Sequence, residues 1–324
     1  MSGIRNVHID GPLSSFASAY ESPEYFADRM APIVLVDHVS DEFHKRRRED
    51  LTTPHDDVIA ADGEANRSTF RYVSDTYQCK HRALVDYLSN TEIADADSPL
   101  NLMEDATATI MNRLLLNREI RVAALYANAA NYATGNSFAA GAVWTDQTNG
   151  NPLNDLQTAR RLLAPGGSTN RTEVALICDE AVWDAIAAHT SMRGGGALSP
   201  VATRSEVMER LRIDKIYVSD AEKNTANEGQ PVSHSPIWDA TRCWIARVPV
   251  GGTTARTSAF AATFRFRNGL TSGGRGPGVA GVAVRRWDAP EKGPQGSQAI
   301  QPSFSDDEKS IQNDQAVQIT GVRS

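Results

Sequence analysis

Two neighbouring carboxylates, Asp179 and Glu180, are the residues of this chain best placed for acid–base chemistry. They follow a short apolar segment, residues 174–178, which predicts a buried strand, and α/β enzymes often carry catalytic carboxylates at the end of such a strand. Asp179 also stands directly before a segment with helical periodicity, where an aspartate caps the first turn. Capping is the simpler interpretation, so these two residues and His189 support only a minority hypothesis of an enzyme.

Thiol and imidazole side chains are present but are not grouped for metal binding. The three cysteines, Cys79, Cys178 and Cys243, contain no C-x-x-C pair, which favours buried free thiols over metal or redox roles. Cys79 and His81 stand two residues apart, and two potential ligands are weak support for a metal site. No two of the seven histidines have the four-residue spacing that places two imidazoles on one helix face. They are His8, His38, His44, His55, His81, His189 and His234.

Glycine-rich phosphate-binding patterns give no stronger signal. The pattern G-x-G-x-x-G occurs at residues 276–281, but it opens a β-rich stretch, so a pyrophosphate would lack a helix N-terminus. A glycine loop between strands is therefore favoured. The sequence has no G-x-x-x-x-G-K-[ST], G-x-S-x-G, H-E-x-x-H or EF-hand pattern. We predict no catalytic, cofactor-binding or metal-binding residues, no cofactor, and a protein that is not an enzyme.

The composition is typical of a globular protein. The 324 residues are 40% hydrophobic and 23% charged, enough for one large or two medium domains. No apolar run reaches the roughly 18 residues of a membrane span, and residues 1–11 lack the apolar core of a signal peptide. A net charge of −7 opposes nucleic-acid binding by the whole surface but allows a local basic face. We expect the protein to be made and kept in a cytoplasm.

A long amphipathic helix is predicted over residues 99–133. Ser98 is a suitable cap, Pro99 suits the first helical position, and Gly135 can close the last turn. At about 1.5 Å per residue the helix would be roughly 50 Å long, which exceeds the width of a typical compact domain. Its apolar residues form two faces, so we expect packing on two sides. One face has Met103, Ala106, Ile110 and Leu114, and the other has Leu116, Ile120, Ala123, Ala127 and Ala130.

The segment before this helix predicts a long two-stranded excursion. Residues 34–36 and 70–79 have extended patterns, and residues 40–67 between them are charged and poor in apolar side chains. Acidic residues flank the basic run at residues 44–48, so a solvated loop is favoured over a nucleic-acid patch. Because an isolated hairpin is marginally stable in water, we expect its stability to come from a neighbouring molecule.

An α/β region follows the long helix. Helix starts are predicted at Asn151, at Asp179 and at the capping box that Thr203 forms with Glu206. Beyond Trp287 the composition is typical of disorder. Strands are predicted over residues 174–178, 215–218, 243–248, 259–266 and 279–286, with a hairpin turn at residues 268–269.

Taken in order, several short motifs resemble those of the major capsid proteins of tailed bacteriophages. The resemblance spans residues 20–285, and the collinear order carries it more than any single motif. The motifs are YFADRMAP at residues 25–32 for the entry to the extended loop, residues 101–124 with LLLNRE at 114–119 for the spine helix, GAVW at 141–144 and NPLND at 151–155 for the entry to the axial domain, and IWD at 237–239 and CWIA at 243–246 for its exit.

The resemblance implies an α+β fold, the Hong Kong 97-like capsid fold that tailed phages share with herpesviruses and encapsulins. It also implies a division of the chain into six parts. They are an N-terminal arm (1–35), an extended-loop hairpin (36–90), the spine helix of the peripheral domain (91–134), the axial domain (135–250), returning strands of the peripheral domain (251–288) and a C-terminal arm (289–324).

For function, the resemblance implies identical subunits that form hexamers and pentamers of an icosahedral shell around double-stranded DNA, in a virion assembled in the host cytoplasm. The other implied partners are a separate scaffolding protein, a portal, a decoration protein and DNA held by non-specific contacts, with no membrane contact. Lys45 is the only lysine of the excursion before Lys80, so non-covalent stabilisation is expected. Two alternatives stay open: an encapsulin-type shell around protein cargo, and a monomeric α/β enzyme.

Overall fold

The computed structural model describes residues 8–20, 25–46, 53–54, 57–58, 72–95, 101–163, 172–193, 201–249, 259–267 and 281–324. These parts of the chain form two large sheets, two separate hairpins and seven α-helices. The helices are α1 (Gly11–Ala19), α2 (Ala27–Met30), α3 (Asn90–Asp95), α4 (Leu102–Ala127), α5 (Pro152–Leu162), α6 (Glu180–Ala188) and α7 (Arg204–Leu211).

The strands are numbered in chain order. They are β1 (His8–Ile9), β2 (Ile33–Val36), β3 (Ser40–Arg46), β4 (Tyr72–Gln78), β5 (Lys80–Ala83), β6 (Asp86–Ser89), β7 (Ser137–Ala139), β8 (Thr172–Asp179), β9 (Lys215–Ser219), β10 (Glu222–Asn224), β11 (His234–Pro236), β12 (Arg242–Pro249), β13 (Ala261–Phe266), β14 (Val282–Ala289), β15 (Ser297–Ser310) and β16 (Ala316–Thr320). The paired hairpins are β3–β4 and β10–β11.

The seven-stranded sheet is organised around β15. Strands β14, β13, β5 and β6 all pair antiparallel with this long strand. Strand β1 extends the sheet from β14, and β2 pairs parallel with β13. Helix α1 and the first half of α4 cover this sheet with a shared apolar cluster. Its buried members are Leu13, Ala17, Ala106, Ile110, Met111, Leu114, Val282, Val284, Ile300 and Phe304.

The five-stranded sheet, in the order β7-β16-β12-β8-β9, is apolar on both faces. Along β8, Val174, Leu176 and Cys178 belong to one apolar cluster, whereas Ala175 and Ile177 belong to another. This alternation follows from the two-residue repeat of a strand. Helices α5, α6 and α7 pack on the first face, and α2 and the second half of α4 pack on the other.

The long helix is present but shorter than predicted, with 26 residues and a length of about 39 Å. It begins after Asn101, and Ser98 and Pro99 lie outside the described residues. It ends because Asn128 adopts an extended backbone and its side chain accepts a hydrogen bond from the Ala130 amide, which starts a 3-10 turn. Gly135 has a φ of 89° but lies in a later turn. The helix contributes to two clusters, which divide it along its length: its first half packs in one and its second half in the other. Ala130, predicted on the second apolar face, lies beyond the helix and is exposed.

The excursion before α4 is a hairpin, but its strands differ from those predicted. Strand β4 pairs with β3, within the charged stretch predicted as a loop, and β2 joins the seven-stranded sheet instead. The loop prediction is wrong for residues 40–46, where the partly buried ring of Phe43 anchors the strand. Residues 47–52 lie outside the described residues.

The prediction of a disordered C-terminal tail is wrong. Strand β15 is central to one sheet, and β16 lies between β7 and β12 in the other. Polar side chains of β15 such as Asp306 are buried and paired with distant arginines, so hydropathy alone underestimates how ordered this segment is.

The predicted helix caps are confirmed. Asn151 and Asp179 each accept a hydrogen bond from a backbone amide in the first turn of the following helix. Thr203 and Glu206 form the reciprocal capping box. The turn predicted at residues 268–269 and residues 276–280 of the glycine pattern lie outside the described residues. Within the described part of the chain, no helix has both the length and the apolar character that crossing a membrane requires.

Candidate assembly surfaces

The residues of the minority enzyme hypothesis do not converge. Asp179 accepts a hydrogen bond from the Ala181 amide as a helix cap, and Glu180 is exposed. His189 lies at the opposite end of α6, about 15 Å along the helix axis. Its Nδ1 is 2.8 Å from Ser191 Oγ and its Nε2 is 3.3 Å from the Asp146 carbonyl oxygen, so both ring nitrogens have local partners. Asp179 and His189 therefore have local structural partners, and Glu180 does not join them.

Thiol and imidazole groups are also dispersed. Cys79, Cys178 and Cys243 are buried free cysteines, as predicted. Cys178 and Cys243 lie opposite each other on β8 and β12, a proximity that the sequence spacing does not reveal. His81 Nδ1 is 2.6 Å from Ser305 Oγ. Among the described residues no three His, Cys, Asp or Glu side chains are grouped to hold a metal ion.

The hairpin β3–β4 stands apart from both large sheets, since its two strands pair only with each other in the described ranges. Lys45 and Asp75 form an ion pair across it, with 2.6 Å between Nζ and Oδ2. This hydrogen bond from Lys45 lowers the pKa of the Asp75 carboxyl. The Lys45 ammonium also donates to the Ser310 carbonyl oxygen at 3.0 Å, which ties the hairpin to the end of β15.

An aromatic cluster fixes the base of the hairpin to the seven-stranded sheet. The ring of Tyr77 stacks on that of Phe264 with centroids 4.7 Å apart, and the ring of Phe43 lies 4.9 Å from Phe264. Cys79 Sγ donates to the Phe264 carbonyl oxygen at 3.4 Å, and burial raises the pKa of this thiol to about 11. The expectation that a neighbouring molecule stabilises the hairpin is therefore wrong for its base, which packs on its own chain.

Exposed large apolar side chains are frequent between residues 35 and 87. Seven of the eleven exposed large hydrophobic residues in the described part of the chain lie between residues 35 and 87. They are Leu35, Val39, Val58, Val73, Leu84, Val85 and Tyr87. Of these, Val73 lies on β4 and Val39 directly precedes β3, so the hairpin itself presents apolar side chains to solvent.

A buried arginine on α4 contacts β13, the strand on which the base of the hairpin packs. Arg118 is 1% exposed, pairs with Asp28, and donates to the Ala31 carbonyl oxygen and to Thr263 Oγ1, each at 3.1 Å. These contacts join the helix to α2 and to β13. Positioning by guanidinium is directional because the planar donors have a fixed fork geometry.

Glu119, the next residue of α4, is fully buried. One carboxylate oxygen accepts a hydrogen bond from Trp238 Nε1 at 2.7 Å, and the other accepts one from the Ala27 amide at 2.8 Å. Burial raises the pKa of Glu119. Arg118 and Glu119 thus both point into the protein interior and not toward solvent.

A second group of charges surrounds the fully buried carboxylate of Asp306 on β15. The guanidinium groups of Arg121, Arg265 and Arg82 lie 3.3, 3.4 and 3.5 Å from it. Arg121 also pairs with Glu308 at 2.7 Å. Burial lowers the pKa of Arg265 to about 10 and raises that of Asp306. This group joins α4, β13, β15 and β5.

These charge groups were not predicted from the sequence. Arg118 stands four residues from both Leu114 and Val122, so the helical period places it on the buried face. That spacing could have predicted that the charged side chain of Arg118 is buried. For Asp306 no comparable local signal exists, because its partners come from other elements.

Comparison with known proteins gives a sequence relative and a shared fold. No family model matches the chain. The major capsid protein of Pseudomonas phage JBD67 is 26% identical over 245 residues, covering 74% of this chain and 77% of the relative. A phage-related protein of Bordetella bronchiseptica, at 16% identity, has a TM-score of 0.72 and covers 97% of both chains.

Two further solved structures extend this comparison. The capsid of cyanophage P-SCSP1u has a TM-score of 0.57 at 10% identity, with 94% of this chain and 90% of that chain covered. An encapsulin complex of Synechococcus elongatus has a TM-score of 0.51 at 12% identity, with 93% and 88% covered. The α+β capsid fold and the resemblance to phage major capsid proteins are confirmed.

Proposed function

We propose that this chain is the major capsid protein of a tailed bacteriophage, and that its copies assemble as hexamers and pentamers into an icosahedral shell around double-stranded DNA. The observation that carries the proposal is the hairpin β3–β4 on a capsid fold, fixed at its base and carrying the exposed apolar side chains of Val39 and Val73. The major capsid protein of a Pseudomonas phage as a sequence relative supports it.

The six-part division of the chain fits this proposal with one change. We assign α4 and the seven-stranded sheet to the peripheral domain, the five-stranded sheet to the axial domain, and the hairpin to the extended loop. Residues 289–324 serve both sheets rather than a free arm. The N-terminal arm, residues 1–35, keeps α2 against α4.

Assembly on this proposal works by rigid placement of the hairpin. The aromatic base and the Lys45 contact set the direction in which it leaves the subunit. A neighbouring copy then covers the apolar side chains around it. A stable contact needs about 800 Å² from each partner, which an extended hairpin supplies without enlarging the domain. Stabilisation is non-covalent, and the chain performs no catalysis.

The remaining partners are part of the same proposal. A separate scaffolding protein, a portal and a decoration protein complete the particle, and the DNA is held by non-specific contacts. The particle is assembled in the host cytoplasm and makes no membrane contact. An encapsulin-type shell around protein cargo is the second candidate, favoured by the structural similarity to an encapsulin complex.

The test is to express the full chain, alone and with its scaffolding protein, and to examine it by electron microscopy and sedimentation. Closed shells are expected, and nucleic acid rather than an enzyme inside particles from infected cells separates the first candidate from the second. A chain that stays monomeric under all these conditions would contradict both.

A matched pair of variants tests the hairpin itself. Val73→Glu places a charge among the exposed apolar residues, and it lies opposite Lys45 in the ladder, so the hairpin keeps a favourable cross-strand pair. We expect folded subunits that no longer form shells. Val232→Glu makes the same change at a residue that is 64% exposed on another loop, and shells should still form. If Val73→Glu assembles normally, the exposed apolar side chains of the hairpin are not part of the contact between subunits.

A further inference from the structure

Three elements of the five-stranded-sheet domain surround a cavity of about 580 Å³. The ends of α5 and α7 and strand β12 form its wall. Every charged side chain that lines it within the described ranges is an arginine. They are Arg160, Arg161, Arg210, Arg212 and Arg247. We call this cavity the arginine pocket.

Helix ends account for part of this positive charge. Arg160 and Arg161 lie in the last turn of α5, and Arg210 lies in that of α7, where cations are favoured. Arg160 donates to the Arg212 carbonyl oxygen at 3.5 Å, and Arg210 donates to the Ser191 carbonyl oxygen at 3.0 Å. Each helix C-terminus is equivalent to about half a negative charge, so two ends offset about one of five positive charges.

Carboxylates offset only part of the remainder. Among the described residues, none of the ion pairs involves Arg160, Arg161, Arg210 or Arg212. Asp214 is the acidic group that acts on Arg247, whose pKa is lowered by burial and by the nearby charge of Arg160. Glu206 is a second acidic group, since Arg210 is among the causes of its lowered pKa. The helix ends and these two carboxylates offset about three of the five charges, which leaves about two in a protein of net charge −7.

The backbone conformation of Arg212 is a second feature of the pocket, independent of its charge. Arg212 caps α7 in the left-handed conformation, with φ 52° and ψ 51°, and is the single non-glycine residue with positive φ in the described part of the chain. Glycine is the residue that this position favours. An arginine here has an unfavourable backbone conformation, and its side chain lines the pocket.

We propose that the arginine pocket binds a compact oligophosphate anion, such as a diphosphate or triphosphate group. Guanidinium forks match the oxygens of phosphate and bind them in pairs. A concave cavity of this volume lies in the size range of small-molecule sites. The phosphate can come from a free oligophosphate or from the backbone of DNA. The pocket belongs to one chain, so this inference does not depend on assembly.

The experiment titrates inorganic triphosphate into the purified full-length chain, by calorimetry, with sodium chloride at matched ionic strength as the reference. We expect one saturable site per chain. The double variant Arg161→Gln, Arg212→Gly removes two exposed guanidinium groups and should weaken binding about 100-fold, or about tenfold for each. Arg212→Gly also relieves the backbone, so a melting temperature no lower than that of the wild type shows that the variant is folded.

The control is Arg113→Gln, which removes one charge from an exposed position on α4, outside the pocket. Binding should be unchanged. No saturable binding to the wild type, equal affinity in the double variant, or equal loss in Arg113→Gln would each overturn the proposal.

A competition arm distinguishes the two sources of phosphate. If triphosphate displaces a labelled short DNA duplex and the double variant weakens both ligands, the pocket accepts backbone phosphate. If the duplex does not compete with triphosphate, the ligand is a free oligophosphate. Both results support a phosphate site. Electron microscopy of the same samples reports shell formation separately, so failure of the assembly proposal and failure of this one are distinguishable.

Discussion

The two large sheets are held against their helices by different chemistry. The five-stranded sheet is buried between apolar clusters on both faces. The seven-stranded sheet, which supports the hairpin, also packs on α1 and α4 through an apolar cluster, but in addition it has buried ion pairs around Asp306 and Arg118 where it meets α4. Apolar packing is non-directional, whereas a guanidinium pairs only in fixed geometries. We infer that buried charges fix the orientation of the sheet that supports the hairpin, and that the five-stranded sheet is stabilised by apolar burial.

The largest effect that this comparison predicts is from Asp306→Ala. The change leaves Arg265, which is 4% exposed, without its carboxylate partner, and an unpaired buried charge costs about 3–5 kcal/mol. Urea unfolding of the unassembled subunit measures this loss. Asp288→Ala, an exposed aspartate on β14, is the control and should change stability by less than about 0.5 kcal/mol. A loss below about 1 kcal/mol for Asp306→Ala would show that the charge group is not structurally critical.

Glu119→Gln tests the buried charges of α4 through pH. The amide nitrogen of the glutamine would face the Ala27 amide, donor against donor, at a cost of about 1–3 kcal/mol. Burial raises the pKa of Glu119 above 4.5, so its protonation stabilises the folded state below that pH, and this stability is lost as pH rises through the folded pKa. The stability gap between wild type and variant should therefore widen as pH falls from 7 toward 5.

Urea unfolding at several pH values measures the gap for Glu119→Gln. The exposed neighbour of a helix cap, Glu180, provides the matched change Glu180→Gln, for which no widening is expected. A gap that narrows on acidification would contradict the raised pKa of Glu119.

Ile245→Val tests the five-stranded sheet. Ile245 is fully buried in an apolar cluster, and removing one methylene from such a site costs about 0.5–1.5 kcal/mol. The loss should be the same at pH 5 and pH 8 and at low and high salt, because no charge is involved. Val232→Ala on an exposed loop is the control and should have little effect. If the loss of unfolding free energy in Ile245→Val depends clearly on pH, the proposed difference between the two sheets is wrong.

The same contrast explains what could be predicted from the sequence. Strands β8 and β12 were predictable because their apolar residues form continuous runs, and the caps at Asp179 and Thr203 act within a few residues. The ends of α4 were less predictable, since Asn128 stops the helix through a side-chain contact that competes with a regular period.

Strand β15 could not be predicted because its stabilising contacts are distant in the chain. Asp306 is polar in composition but is paired with Arg121 and Arg265, which lie 185 and 41 residues away. The arginine pocket was hidden for the same reason, since its residues come from α5, α7 and β12. The absence of an enzyme site remains a prediction, with Asp179 and His189 accounted for structurally.

The smallest predicted effect on stability is from Asp75→Asn in the hairpin. The Lys45 and Asp75 side chains are 24% and 42% exposed, so solvent screening limits the pair to about 0.5 kcal/mol, and added salt should reduce it further. The lowered pKa of Asp75 makes its contribution present above about pH 3.8 and lost as pH falls through the folded pKa, the opposite sign to Glu119. If the Lys45–Asp75 ion pair fixes the direction of the hairpin, Asp75→Asn should clearly lower the yield of shells although it hardly changes the free energy of unfolding. Sedimentation and urea unfolding on one preparation compare the two, and an unchanged yield of shells would confine the role of charge to the interface between α4 and the sheet.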